Sequence, residues 1–314
     1  MTILQGSRSG LAYIAETTFG VTPTTPALTG IPYTTHSLDL TKDRLQSNDL
    51  LPDRMLRTDR HGNRKVAGDI VVDLRKSEYD AFLEAGFMSA FTTTAPIDVL
   101  RIGTTFKSFS IEDSANDTTS TDAFRLFTGM SVSKTAISIK PNAMVTGTFS
   151  FVGKDMTAAT SSAGTTTYSA TVQKPYDAYS GTIKIADAGG VLSSIALVTG
   201  VDFTIDNGFN PTFVVGSAST PQIEFGRATV EGTITAYFED LALLNRFINE
   251  TETAFEVQVD SPDANAGMTF LFPRIKINGA AVPVSGPTSR VITMPFVALY
   301  DSTELTSVKL TRNT

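Results

Sequence analysis

The chain has 314 residues, 41% of them hydrophobic, a net charge of −7, no cysteine and two histidines. That length sets an expectation of about two domains, each with its own core, and the missing thiols exclude disulfides and thiolate metal sites. The acidic balance argues against a general nucleic-acid binder, which needs a basic face to displace counterions, while the N-terminal MTILQGSRSG lacks the apolar run of a signal peptide and no stretch approaches a membrane span.

In chain order, residues 1–35 carry Gly20, Pro23, Pro26 and Gly30 and read as an extended arm with turns, followed by a strand at 36–40. A long charged stretch, 41–65, leads into KVAGDIVVDLRKSEYDAFLEAGF at 65–87. There Val66, Gly68, Ile70, Val72 and Leu74 fall on alternate positions, the period of a half-buried strand. The spacing then turns helical at Tyr79, Phe82, Leu83 and Phe87, with Ser77 and Asp80 set as a capping box. FKSFSIEDSANDTTSTDAFRLFTGMSVSKTAISIK at 106–140 reads as strand, acidic loop and long strand or hairpin, and an alternating strand closes on Asp155.

The Ser/Thr/Ala/Gly run at 157–170 reads as a linker. Beyond it a hairpin turns at 187–190, and ALVTGVDFTID places Val201, Phe203 and Ile205 on one face, in correspondence with the 36–40 strand. TVEGTITAYFEDLALLNRFINE at 229–250 then repeats the strand-to-helix passage, with Val230, Gly232, Ile234, Ala236 and Phe238 alternating before Leu241, Leu244 and Ile248, and Glu239–Asp240 at the helix start. Val66 and Val230 lie 164 residues apart, and the closing aspartates Asp155 and Asp301 lie 146 apart. FEVQVDSPDANAGMTFLFPRIKINGAAVPV at 255–284 repeats the order read at 106–140, and three matched blocks in the same order mark a tandem duplication. The expected fold is mainly β, with one helix packed on each sheet or barrel: a first module at 1–156, a linker at 157–170 and a second module at 171–314.

Chemistry is hard to find. His36 and His61 have no motif around them, and no metalloprotease, hydrolase, Walker or dinucleotide signature is present, so the histidines read as structural and no enzyme or cofactor is expected. Glu112, Asp113, Asp117 and Asp122, and in the second half Asp260, Asp263 and Asn265, could offer oxygen ligands to calcium. The closing glutamate of such a loop is missing, and Asp and Asn at hairpin tips serve turn geometry equally well. The stretch TKDRLQSNDLLPDRMLRTDRHGNRK is locally basic. Interleaved acids and no stacking aromatics count against phosphate binding. Loops of this length are usually functional, so Leu50, Leu51, Met55 and Leu56 read as apolar anchors, with Arg54, Arg57 and Arg60, for docking on an acidic surface of another copy; a solvated loop is the plainer alternative.

This order of blocks resembles the tail tube proteins (major tail proteins) of long-tailed, non-contractile bacteriophages. The features that carry it are GLAYIAETTFGVTP, the charged loop before KVAGDIVVDL, YDAFLEAGF, LFTGMSVSKTAISIKPNAMVTGTFSFVGKD, GRATVEGTITAYFEDLALLNRF and FPRIKINGAAVPV. The resemblance implies two tail-tube-like β-sandwich or barrel modules, each with a flanking helix. It further implies self-assembly into rings whose inner sheets join in one β-barrel, and rings stacked into a tube in the virion tail. With two modules per chain, a trimeric pseudo-sixfold ring follows, or six chains with the second domain outside. The implied partners are other copies of the chain, a tape-measure protein, and tail terminator and distal tail proteins. Phage DNA would pass the lumen without specific binding, no membrane is involved, and assembly would take place in the host cytoplasm. A β-rich adhesin or carbohydrate-binding module is the alternative.

Overall fold

The computed structural model of the chain describes residues 6–49, 52–53, 55, 58–115, 122–169, 173–194, 198–263, 267–284, 286–287 and 289–313. The fold is mainly β, because alternation of apolar and polar residues dominates the sequence. TGTFSFVG, for example, buries Gly147, Phe149, Phe151 and Gly153 and leaves Thr146, Thr148, Ser150 and Val152 half-exposed.

A 3-10 turn at Gly6–Arg8 precedes β1 (Ser9–Ala15), β2 (Ala27–Gly30), β3 (Thr35–His36), β4 (Asp39–Gln46) and β5 (Asp59–Asp73). Helix α1 (Asp80–Gly86) is followed by β6 (Thr92–Thr94), β7 (Ile97–Arg101), β8 (Phe109–Ala115), β9 (Ala123–Ile139), β10 (Thr146–Gly153), β11 (Asp155–Ala159) and β12 (Thr165–Thr167). The second half comprises β13 (Asp177–Asp187), β14 (Ser193–Ser194), β15 (Val198–Asp206), β16 (Asn210–Pro211), β17 (Ile223–Glu224) and β18 (Thr229–Tyr237). Helix α2 (Ala242–Ile248), β19 (Thr253–Asp260), β20 (Met268–Ile277), β21 (Val291–Ala298) and β22 (Lys309–Asn313) complete it.

One succession of antiparallel pairings occurs twice. In the first half β3 and β4 pair with β5, β5 with β10, and β10 with β9. In the second half β15 pairs with β18, β18 with β21, and β21 with β20. Gly68 faces Phe151 and Gly232 faces Phe296 at matching places. Both sites need glycine: a Cβ at Gly68 (φ +154°) would lie 2.4 Å from the Ser37 carbonyl oxygen, and one at Gly232 2.5 Å from the Phe296 ring. Between the two series β9 pairs with β15, from Ile139 opposite Val201 to Lys134 opposite Asp206. A single inner sheet therefore runs β4–β5–β10–β9–β15–β18–β21.

The long strands β9 and β20 also enter the outer sheets. The first half of β9 joins β8 and β11, with β1 beyond β8. The start of β20 joins β19 and β22. Beyond β22 lie β7 and β6, so a hairpin of the first half completes the outer sheet of the second. Two aromatic clusters fill the space between sheets. Phe82 of α1 meets Tyr13, Phe109, Phe149 and Phe151, and Phe203 meets Phe270 and Phe272, which also touches Phe255 and Phe296. Burial of such rings is the main stabilising term, about 1.5–3 kcal/mol each.

Several expectations need correction. The extended N-terminal arm is built into the sheet: β1 pairs along its whole length with β8, and β2 pairs with β1 and β12. Glu16 fixes it, accepting bonds from the amides of Gly20 and Gly129 and the hydroxyls of Ser108 and Ser110 at 2.7–2.8 Å. The charged stretch 41–65 is mostly a β4–β5 hairpin, paired out to Gln46 opposite Asp59. The run 157–170 contains the end of β11 and all of β12. The Ser77 capping box does not form. Ser77 turns left-handed (φ +63°), the helix begins after Tyr79, and the Asp80 carboxylate is taken by Arg312 from β22. Helix α2 leaves Leu241 and Ile248 exposed, whereas α1 buries Phe82 and Leu83.

Candidate assembly surface

The inner sheet has one face on the core and one face in water. On the second face lie Thr146, Thr148 and Ser150 of β10, Lys134, Ser138 and Lys140 around the end of β9, Asp202, Thr204 and Asp206 of β15, and Glu231, Thr233 and Thr235 of β18, all outside the buried core. Asp69 and Asp73 of β5 share that face, opposite Ser150 and Thr146. An open groove of about 620 Å³ runs over it, lined by Lys134, Asp202, Asp206, Glu231 and the neighbouring threonines. Hydroxyls and carboxylates dominate the surface, and lysines on it are committed to acids: Lys134 Nζ lies 2.8 Å from Asp206, Lys65 Nζ 2.8 Å from Asp43 and Lys140 Nζ 3.8 Å from Asp202. The hydrogen bond to Asp206 raises the Lys134 pKa. For Asp206 burial acts upward, but the Lys134 bond and the Gly208 amide hold it below the usual carboxylate range.

The sheet ends on two edges. At the first, β3 and β4 pair with β5 alone among the named strands. At the second, residues 278–281 continue past β20 along β21: Asn278 donates to Pro295 O, and Ala281 and Thr293 exchange both backbone bonds. Beyond that segment Val284 is 70% exposed. Unpaired strand edges are templates for pairing with another chain.

Of the residues expected to make contacts between copies, Leu50, Leu51, Arg54, Leu56 and Arg57 lie outside the described residues. Met55 is exposed near the tip of the β4–β5 hairpin, and Arg60 is exposed opposite Leu45. Within the hairpin Arg44 pairs with Asp59 and Lys65 with Asp43, while Arg64 reaches out to Asp155. Its base touches the second half through the Arg64 amide, which donates to Ala218 O at 2.7 Å. The two sheet edges carry no motif and escape a motif search. The one signal for the second was the likeness of GAAVPV at 279–284 to KTAISI at 134–139.

The remaining candidate groups are held by neighbours. His36 Nε2 lies 3.4 Å from Asp113, whose carboxylate also binds Arg125, while His36 Nδ1 is buried without a hydrogen-bond partner, so the pair does not extend to a hydroxyl. Burial acts to raise the Asp113 pKa, but the bonds from His36 and Arg125 bring it below the ordinary value. Glu112 accepts from Ser162 Oγ and the Ala163 amide, and Asp263 from the Lys174 amide. Asp117 and Asn265 lie outside the described residues. Among the described residues no group of three or more His, Asp or Glu could hold a metal ion, and no helix is long and apolar enough to cross a membrane.

A continuous antiparallel sheet with a polar open face leaves two strand edges of the kind that can pair with another chain. The family model described as phage tail tube protein matches residues 6–298, and the chain belongs to that family, a structural component of the virion tail. No curated protein matches the chain.

Proposed function

We infer that this chain is a double-module tail tube subunit, that three copies close a pseudo-sixfold ring, and that rings stack into a tube through which phage DNA leaves the capsid. The observation that carries the reading is the β9–β15 pairing: two like sets of strands already share one sheet inside a single chain. The recurrent pairings and the matched glycines Gly68 and Gly232 support a duplicated module. A second domain that merely decorated the tube would have no reason to share the inner sheet, which favours three chains per ring over six. The family match favours the tube over a glycan-binding module.

The polar sheet face becomes the lumen in this reading. Its carboxylates repel phosphate, and its hydroxyls offer no fixed positive charge to hold DNA. Stacking of rings is a heterologous contact that does not close, so it generates a filament; the β4–β5 hairpin tip, with Met55, Arg60 and their neighbours at 50–57, is the proposed stacking element. Tape-measure and terminator proteins are proposed as partners, with assembly in the host cytoplasm. Negative-stain electron microscopy of the purified chain tests the reading. Hollow tubes with threefold or pseudo-sixfold end views are expected; six large subunits per ring would remove the trimer, and isolated particles at every concentration would remove the tube.

A further inference from the structure

The chain carries one complete junction between modules, and that junction predicts the residue register of the junction it must make with another copy. The inference rests on the tube reading above and assigns its ring contact. The correspondence between halves is set by the pairings. Gly68 matches Gly232, so Phe151 matches Phe296 and Val132 matches Ile277. One residue is looped out next in each half: Ser133 between the pairs 151/132 and 150/134, and one position between the pairs 296/277 and 293/281. Ala281, opposite Thr293, therefore matches Ala136, opposite Thr148, and residues 279–284 match 134–139. On the other side Val66 pairs with Leu40 and Val230 with Ile205, so residues 36–40 match 201–205.

In the junction within the chain, Ile139 lies opposite Val201, Ile137 opposite Phe203, Ala136 opposite Thr204 and Thr135 opposite Ile205. Transferring that register, we propose that residues 280–284 of one copy pair antiparallel with residues 36–40 of a second copy, Val284 opposite His36, Val282 opposite Leu38, Ala281 opposite Asp39 and Ala280 opposite Leu40.

Three features fit this register, the second a consequence of the first. The backbone parity is right: Ala281 spends its amide and carbonyl on Thr293, and Ser37 donates to Asp69 O, so in regular alternation 280, 282 and 284 turn outward to meet 36, 38 and 40. Pro283, which has no N–H, falls at a position that points inward and so subtracts nothing from the new ladder. The side chains also match, since Val282 and Ala280 are already partly packed on the core, Leu38 is buried, and Val284 is exposed. A shift of one residue would turn every one of these apolar groups into the polar face.

Engineered disulfides test the register, and the chain has no cysteine of its own to interfere. Asp39 and Ala281 would form a non-hydrogen-bonded pair, with Cα atoms about 4.5 Å apart, inside the range that a disulfide spans. Asp39 Oδ1 also accepts from the Leu40 amide at 2.8 Å and lies 3.8 Å from Arg125, and the cysteine removes both contacts, leaving the outward Leu40 amide free for the new ladder. After oxidation of assembled protein, the double variant Asp39→Cys with Ala281→Cys should run as covalent multimers that reductant collapses. Asp39→Cys with Gly279→Cys, or with Pro283→Cys, reports a slip of two residues and should remain monomeric. Cross-linking of either slipped pair, or of none of the three in samples that show rings or tubes by electron microscopy, overturns the register and leaves the tube standing. Wild-type chain that forms neither rings nor tubes removes the tube reading itself, and is seen before any cysteine is introduced.

Discussion

Lys134 and Asp206 meet at 2.8 Å across the β9–β15 pair that joins the two halves of the inner sheet. Lys134 is largely exposed, so the ion pair ornaments the seam more than it holds it. The apolar contacts beneath carry it: Phe203, opposite Ile137, is buried against Phe270 and Phe272. Phe203→Ala should cost about 3–5 kcal/mol in urea unfolding, and Lys134→Ala less than about 1 kcal/mol. Equal losses would mean the seam is electrostatic.

Glu16 is the fastening of the N-terminal strand, with its carboxylate taking four bonds at once. Glu16→Ala would leave two amides and two hydroxyls short of an acceptor, a loss of about 3 kcal/mol. Limited proteolysis should then release the segment around β1 before the rest unfolds. A protease pattern like that of the wild type would show that β1 is held by its pairing with β8 alone.

Arg312 ties three parts of the chain together. Its guanidinium binds Asp80 at the start of α1 and Asp98 on β7, and it stacks over Phe91 at 4.1 Å. Burial acts to lower its pKa, but the two carboxylates raise it. Arg312→Met removes the charge and strands the buried Asp98, which should cost about 3–5 kcal/mol. Arg312→Lys should recover only part of this, because an ammonium cannot fork to both acids. Full recovery with lysine would exclude the forked geometry as the source.

Acid should weaken the fold in a defined window. The Thr93 hydroxyl and Arg312 hold Asp98 below the ordinary carboxylate range, and Asp113 is also lowered in net. A carboxylate depressed in the folded state contributes stability that is fully present above its unfolded value of about 4 and is lost as pH falls through the folded value. The melting temperature should therefore hold from pH 7 to about 5 and drop below about 4. Asp113→Asn should start lower and lose less over the same range. A melting curve indifferent to pH down to 3 would contradict this account.

The hairpin tip offers a test of stacking that is independent of the fold. Replacing Arg54, Arg57 and Arg60 together with glutamine should abolish tube growth and leave the circular dichroism and melting of the monomer within experimental scatter, since Arg60 is exposed. Tubes of normal length in the triple variant would remove the tip from the stacking contact.

What could be read without coordinates followed local periodicity. Alternation at 66–74 and 230–238 marked β5 and β18, and Tyr79, Phe82, Leu83 and Phe87 marked the buried face of α1, because a strand or helix stripe is decided by neighbours two or four residues away. The recurrence of the strand-to-helix passage raised the expectation of two like halves. The false capping box at Ser77 shows where this stops: Asp80 is claimed by Arg312, 232 residues away, and no local pattern can anticipate a distant competitor. The pairing of 41–46 with 59–65 and the seating of β1 on β8 were likewise hidden, since charged or mixed segments become strands only when a partner edge satisfies their backbone groups. By itself the sequence determined which faces are apolar and that a strand-to-helix passage recurs. Tertiary structure alone decided that the two units share one sheet, and so which edges remain open, because strand pairing is a contact between backbones that carry no sequence-specific label.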